Sequence, residues 1–222
     1  MAQTKDMANY IYDTLREQIL SMEIKPGQEL SEQILCKEFS ASRTPVRTAL
    51  QRLQDAELVD IIPYQYTRAS LISLSKARQM IYLRSVFEAH ILQDFTDKSD
   101  DFLLEDIEHL IRRQEILIKG DFKAEDFYKL DTEFHALFFK ATGNEYIWSL
   151  IQGSVNYTRI RMLDIVEKGD FKTIVEEHKM LAEMIREKRK DEIPAIIERH
   201  LRGGLVRILG NDDPEMKAFL VE

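Results

Sequence analysis

Residues 31–55 read SEQILCKEFSASRTPVRTALQRLQD, two short amphipathic stretches separated by a tight polar connection. Ser31 opens the first, a helix running to about Phe39, because a side-chain oxygen at an N-cap can satisfy a free N–H of the first turn. Ser40-Ala41 makes the connection, and Ser42 caps a second helix from Arg43 to about Asp55. Pro45 falls in that helix's first turn, where a missing N–H is tolerated. Val46, Ala49, Leu50 and Leu53 form one apolar stripe, while Arg43 and Arg47, four apart, share the opposite face. Upstream, Met7, Tyr10, Ile11, Leu15 and Ile19 fall at helical spacing and predict a first helix ending near Met22; Lys25-Pro26-Gly27-Gln28 is a turn. Downstream, the β-rich runs Val59–Ile62 and Thr67–Ile72 flank Pro63-Tyr64-Gln65-Tyr66 and predict a hairpin. This order of elements makes residues 1–74 a winged helix-turn-helix. In such a unit the exposed N-terminal end of the second short helix offers donors to base edges and phosphates. Here that end reads Ser42-Arg43-Thr44-Pro45-Val46-Arg47.

The remainder, residues 75–222, carries no strand signal, so the fold class is mainly α: a winged helix-turn-helix followed by an all-α six-helix bundle. The expected helices are 76–95, 101–119, 122–141, 145–167, 171–189 and 192–209, most of them started by a capping residue: Ser75, Ser99, Asp121, Asn144, Asp170 and Asp191. Gly120, Gly143 and Gly169 stand where helices should stop. The tail after Gly210 reads as weakly ordered, and little linker separates the two parts near Leu71–Ser75.

Composition narrows the class further. Hydrophobic residues make up 44% and charged ones 32% of the 222 residues, ordinary for a globular protein. No apolar run approaches the roughly 18 residues needed to span a bilayer, and the N-terminus lacks a signal peptide's apolar core. One cysteine, Cys36, allows no internal disulfide and fits a reducing compartment, so a cytoplasmic location without membrane contact is expected. The net charge of −8 argues against nucleic acid until its distribution is considered. Residues 1–74 hold eight Lys/Arg and ten Asp/Glu, and Phe39–Gln54 contains three arginines and no acid. Salt screens distant charge within about 10 Å, so such a local positive face can still meet a phosphate backbone.

The helical part places polar groups where apolar ones are due. On 122–141 the inward stripe is Phe127, Leu130, Phe134, Leu137 and Phe138, and Asp131 and His135 lie within it. His178 falls among Ile174, Val175, Leu181 and Ile185, and His200 among Ile193, Ile196, Ile197 and Leu201. A carboxylate facing a core needs a partner or becomes neutral. One Asp and three His form a ligand set for a divalent metal, with the i, i+4 pair supplying two donors from one helix. Taken singly, each histidine reads equally as a hydrogen-bonded core residue. His90 lies near an apolar stripe and His109 off it; neither is recommended as a ligand. The aromatic residues Phe127, Phe134, Phe138 and Tyr157 read as core.

The stretch LREQILSMEIKPGQELSEQILCKEFSASRTPVRTALQRLQDAELV resembles the DNA-binding domain of the GntR family of bacterial regulators, through Pro26-Gly27, Leu30-Ser31-Glu32, Ser42–Arg47, Ala49-Leu50, Leu53 and Leu58-Val59. The resemblance implies operator contacts from Ser42, Arg43, Thr44 and Arg47. Gln33 departs from a frequently basic position, and the wing lacks the usual tip glycine, leaving Tyr64 and Arg68 as wing candidates. LDTEFHALFFKATGN, with Leu130, Asp131, Phe134, His135 and Gly143-Asn144, is similar to the central motif of the FCD ligand-binding domain, and Arg84–Glu88 to its opening helix. Six helices suggest the shorter, VanR-like subgroup. Metal-binding members carry an Asp, His, His, His pattern that Asp131, His135, His178 and His200 match. The resemblance therefore implies a divalent metal (zinc first, nickel or manganese as alternatives) and a small carboxylate effector. Arg84 and Asn156 are its candidate contacts, and Arg159 and Arg161 come after them. Arg84 has a competing role as the i, i+4 partner of Glu88.

The reading that follows is a repressor, not an enzyme, that binds operator DNA as a homodimer held by its helical part. Two others stand beside it: a metal-dependent enzyme acting on small acids or esters, and a regulator whose helical part only dimerises. Against the enzyme, no inward general base is evident beyond the ligand set.

Overall fold

A computed structural model of the chain describes residues 2–167 and 169–222. The chain divides into two compact units, Met1–Leu74 with Asp212–Glu222, and Ser75–Asn211.

The first unit contains α1 (Ala2–Leu20), α2 (Glu32–Glu38), α3 (Arg43–Asp55), β1 (Val59–Ile62), β2 (Tyr66–Ala69) and β3 (Ile72–Ser73). α1 lays the buried Ile11, Leu15 and Ile19 against the buried Val46, Ala49, Leu50 and Leu53 of α3. Burying such a stripe, at roughly 1.5–3 kcal/mol per large aliphatic side chain, sets the angle at which α3 presents its other face. Ser31 and Ser42 occupy the expected N-cap positions in extended backbone, but neither side chain makes a capping hydrogen bond. β1 and β2 pair antiparallel, Val59 opposite Ala69 and Ile62 opposite Tyr66. At the glycine-free wing tip Tyr64 itself takes a left-handed φ of 62° with its side chain fully in solvent. Arg68 lies along the hairpin, 4.3 Å over the Tyr66 ring and 3.6 Å from Asp60.

The tail corrects an expectation. Instead of fraying, residues 214–221 form α11 (Pro214–Ala218) and β4 (Leu220–Val221) and belong to the first unit. Asp213 caps α11 by accepting from the N–H of Glu215, and Pro214 occupies its first turn. Met216 and Phe219 are buried, and β4 pairs parallel with β3.

The second unit contains α4 (Leu74–Lys98), α5 (Asp101–Leu117), α6 (Ala124–Ala141), α7 (Glu145–Gln152), α8 (Val155–Glu167), α9 (Phe171–Arg186) and α10 (Ile193–Leu209). The helix expected over 145–167 is two, broken at Gly153-Ser154, so seven helices stand among the described residues of this part where six were expected. Asp100, not Ser99, caps α5, and α6 starts after Lys123 rather than Asp121. α10 follows a 3-10 turn over Lys190–Glu192 and starts after Glu192, not Asp191. Its largely aliphatic core holds an aromatic cluster: Phe138 meets Phe95 and Phe134 edge-on at 5.0 and 5.1 Å. α8 is buried on nearly every side from Asn156 to Ile165, including Arg159, Arg161 and Asp164. A helix buried all round is normally apolar, so its charges must find partners inside. Asp164 takes two bonds from the Arg207 guanidinium, at 2.8 and 2.6 Å, and a Cβ on Gly204 would come within 2.9 Å of the same carboxylate. Among the described residues no helix is long and apolar enough to cross a membrane.

Candidate metal centre

α6, α9 and α10 bring Asp131, His135, His178 and His200 together, all four buried, with one potential ligand atom of each lying within 4.8 Å of the others. His109 is exposed and His90 faces solvent beside Asp94, so neither joins them. The outer nitrogen of each imidazole in the set is engaged. His178 Nδ1 lies 2.8 Å from Gln114 Oε1, and Gln114 donates its amide to the carbonyl of Leu130 at 3.2 Å. His200 Nδ1 lies 2.9 Å from Glu177 Oε2. His135 Nδ1 faces Glu88 Oε2 at 2.8 Å, close to the carboxylate though outside hydrogen-bond geometry.

These partners decide the tautomers. An amide oxygen whose nitrogen already donates, and two carboxylates, can only accept, so each Nδ1 carries the hydrogen and each Nε2 keeps its lone pair. The three Nε2 atoms face inward. His135 Nε2 and His200 Nε2 stand 3.2 Å apart, and His178 Nε2 is 3.7 Å from Asp131 Oδ1. Neither His178 Nε2 nor Asp131 Oδ1 has a hydrogen-bond partner. Lone pairs turned on one another in a dry interior repel unless a cation lies between them. The donor set therefore fits a divalent metal, and a spread of 4.8 Å closes on one ion with bonds of roughly 2.0–2.2 Å through small side-chain shifts.

The surrounding charges are balanced at close range. Burial alone would raise the Asp131 carboxyl, but Arg161 and the three imidazoles hold it well below the usual carboxylate range. Arg161 Nη2 donates to Asp131 Oδ2 at 2.8 Å. Burial likewise works against the Glu88 anion, yet Arg84 and His135 hold its pKa at about 2. Burial is the main cause of the depressed pKa of both His178 and His200, which keeps them neutral as metal ligation requires. The ring of Phe134 stacks on His178 at 3.9 Å.

Of the expected effector contacts, Arg84 is buried on α4, pairs through Nε with Glu88 and donates through Nη1 to the hydroxyl of Tyr157. Its two sequence roles are compatible, because Nη2 has no partner. Tyr157, read as core, thus puts a polar group into the site. Asn156 is buried beside it on α8. Arg161, placed behind Arg84 from sequence, is the direct partner of Asp131 and keeps Nη1 unpartnered. Glu88, Gln114 and Glu177 were not seen as histidine partners. Gln114 had a signal, standing on the inward stripe of α5 with Ile107 and Ile111; Glu177, largely buried and beside the inward His178 in sequence, had none. An inward carboxylate does exist in Glu88, contrary to the sequence reading.

In the first unit, Ser42, Arg43, Thr44 and Arg47 are all exposed at the N-terminal end of α3. Arg47 Nε donates to both Glu32 oxygens, at 2.8 and 3.0 Å.

Residues 7–67 match the family model of bacterial regulatory proteins of the gntR family, and residues 79–203 match that of the FCD domain. The chain belongs to the GntR family and carries an FCD domain. It is 27% identical over 205 residues to an HTH-type transcriptional regulator of Streptomyces ambofaciens, covering 91% of this chain and 86% of that one. Over 200 residues it is 24% identical to the HTH-type transcriptional repressor RspR of Escherichia coli, covering 90% and 87%. Its fold is similar to that of a GntR transcriptional regulator from Rhodococcus sp. RHA1, with a TM-score of 0.69 at 17% identity over 96% of this chain and 100% of that one. This GntR-family chain is therefore a transcriptional regulator with a DNA-binding module.

The buried groups set a pH dependence. Two histidines held below their unfolded value of about 6.5 bind fewer protons folded than unfolded, so stability rises with pH there. The metal-free protein should keep this contribution above about pH 6.5 and lose it progressively below. Thermal melts in chelator from pH 7.5 to 5 should show a falling Tm, with a shallower fall in His178→Gln; equal slopes in the two proteins would contradict the assignment.

Proposed function

We propose that this GntR-family regulator is a cytoplasmic, metal-dependent repressor whose operator affinity is controlled by a small organic acid bound beside the metal. One observation carries the reading: three imidazoles, two hydrogen-bonded at Nδ1 and the third facing the Glu88 carboxylate there, turn Nε2 toward a place shared with Asp131 Oδ1. Zinc suits that set, and nickel or manganese would suit it with additional ligands. A bound metal supplies open coordination positions, and a carboxylate there would meet the unpartnered Nη atoms of Arg84 and Arg161. Asn156 stands on the same helix as Arg161. The metal-dependent enzyme is less well supported, because Glu88, held at about 2 by its partners, is a poor base near neutral pH.

DNA recognition falls to Ser42, Arg43, Thr44 and Arg47, and two copies would read two half-sites about one helical turn apart. For the homodimer, α4 offers an exposed stripe of Tyr82, Leu83, Val86 and Phe87, large apolar groups at helical spacing.

Elemental analysis of purified protein should find about one divalent metal per chain after incubation with zinc, and little in a His135→Ala, His178→Ala variant. Equal metal in both, or none in wild type after zinc, nickel and manganese, would remove the metal from the account. Binding to the promoter of its own gene should weaken about ten- to hundredfold in Arg43→Ala and Arg47→Ala. Unchanged affinity in both would show that α3 is not the reading helix.

A further inference from the structure

The tail that was expected to fray is fastened to the DNA-binding unit by four kinds of contact. Met216 and Phe219 are buried there. The Ile72 N–H donates to the Phe219 carbonyl at 2.9 Å, and β3 and β4 run parallel with Ile72 opposite Leu220 and Ser73 opposite Val221. Lys25 pairs with Glu215 at 2.9 Å. The same ammonium lies 5.7 Å over the Phe219 ring. Local sequence supports the arrangement, since Asp213 and Pro214 start α11 independently of anything it docks on.

What makes the docking informative is where each strand leads along the chain. β3 runs without a break into α4, which carries Arg84 and Glu88, and Glu88 holds His135. β4 is reached from α10, which carries His200. Between His200 and the end of α10 the chain is continuous helix with Leu201, Leu205 and Ile208 buried, so it moves as a rod. Only four residues, Gly210 to Asp213, separate that rod from α11. Fully extended, such a connection spans roughly 17 Å. The helical unit is thus joined to the DNA-binding unit by two covalent crossings, and the strands at those crossings pair with each other.

We propose that residues 212–222 are a strap that couples the metal centre to the DNA-binding unit. Occupation of the centre fixes the position of α10 through His200, and the strap passes that constraint to β3. Coupling of this kind requires that the docked strap and the occupied centre favour each other, which is a difference in free energy between two arrangements and is reciprocal. The link to metal rests on the function proposed above; the strap itself rests only on the docking and the chain path.

Two full-length variants test it. Insertion of about six Gly/Ser residues between Gly210 and Asn211 leaves every docking contact in place and slackens the connection. Phe219→Asp instead undocks the tail. By calorimetry without metal, wild type should melt both units in one transition and each variant in two; the same number of transitions in all three proteins would overturn the strap. In hydrogen exchange, zinc should slow the Ile72 amide of wild type by about tenfold, and in the insertion variant should protect α6, α9 and α10 but not Ile72. Equal protection of Ile72 in the two proteins would overturn the strap even if zinc binds. Zinc protecting no helix in wild type would instead overturn the metal reading, with calorimetry still deciding the strap.

Discussion

An imidazole that gives one nitrogen to a neighbour has one lone pair left to direct, and here that choice is made three times toward one place. Gln114 from α5 and Glu177 from α9 each accept from an Nδ1, and the Glu88 carboxylate from α4 faces the third at 2.8 Å. Much of the helical unit can be understood as the support for these three contacts. Gln114 is itself oriented by the Leu130 carbonyl one residue before Asp131, and Asp131 is oriented by Arg161 from α8. A histidine cluster without such anchors could rotate its rings and share protons. With them, among the described residues the inner nitrogens face only one another and the Asp131 carboxylate.

The electrostatics explain why a cation would suit this arrangement and why an anion would follow it. Three carboxylates (Glu88, Asp131 and Glu177) and two guanidiniums (Arg84 and Arg161) lie around the imidazoles. Burial opposes every one of these charges, and each is retained because its partner is at contact distance. Arg199 also pairs with Glu177, at 3.1 Å, so these charges balance and a divalent ion would make the cluster positive. The unpartnered guanidinium nitrogens then stand beside a net cationic centre in a dry interior, where an organic acid gains more than it would at the surface. The same low dielectric makes removal of one partner costly, because the other charge remains buried.

Local signals were legible in the sequence and crossings were not. Helical spacing and turn chemistry placed α2, α3 and the hairpin, and the inward Asp131, His135, His178 and His200 stood out because they break apolar stripes. Gly153 was passed over because the run from Glu145 to Glu167 keeps its helical character on both sides of it. Glu177 could not be found as the partner of His200, since the contact joins two helices and nothing in the local sequence marks it. Tyr157 reads as core from its ring alone; only its neighbour Arg84 reveals the use of its hydroxyl. The tail misled for a related reason: it has too few apolar residues to fold alone, and Met216 and Phe219 find their cover on a unit more than 140 residues earlier in the chain.

The X-ray absorption spectrum of the zinc-loaded protein tests the central claim most directly, because it counts the atoms bound to the ion and identifies their kind. Three imidazole nitrogens and at least one oxygen at about 2.0–2.1 Å, with no sulfur, are expected. A first shell of oxygens alone, or one containing the Cys36 sulfur at about 2.3 Å, would contradict it.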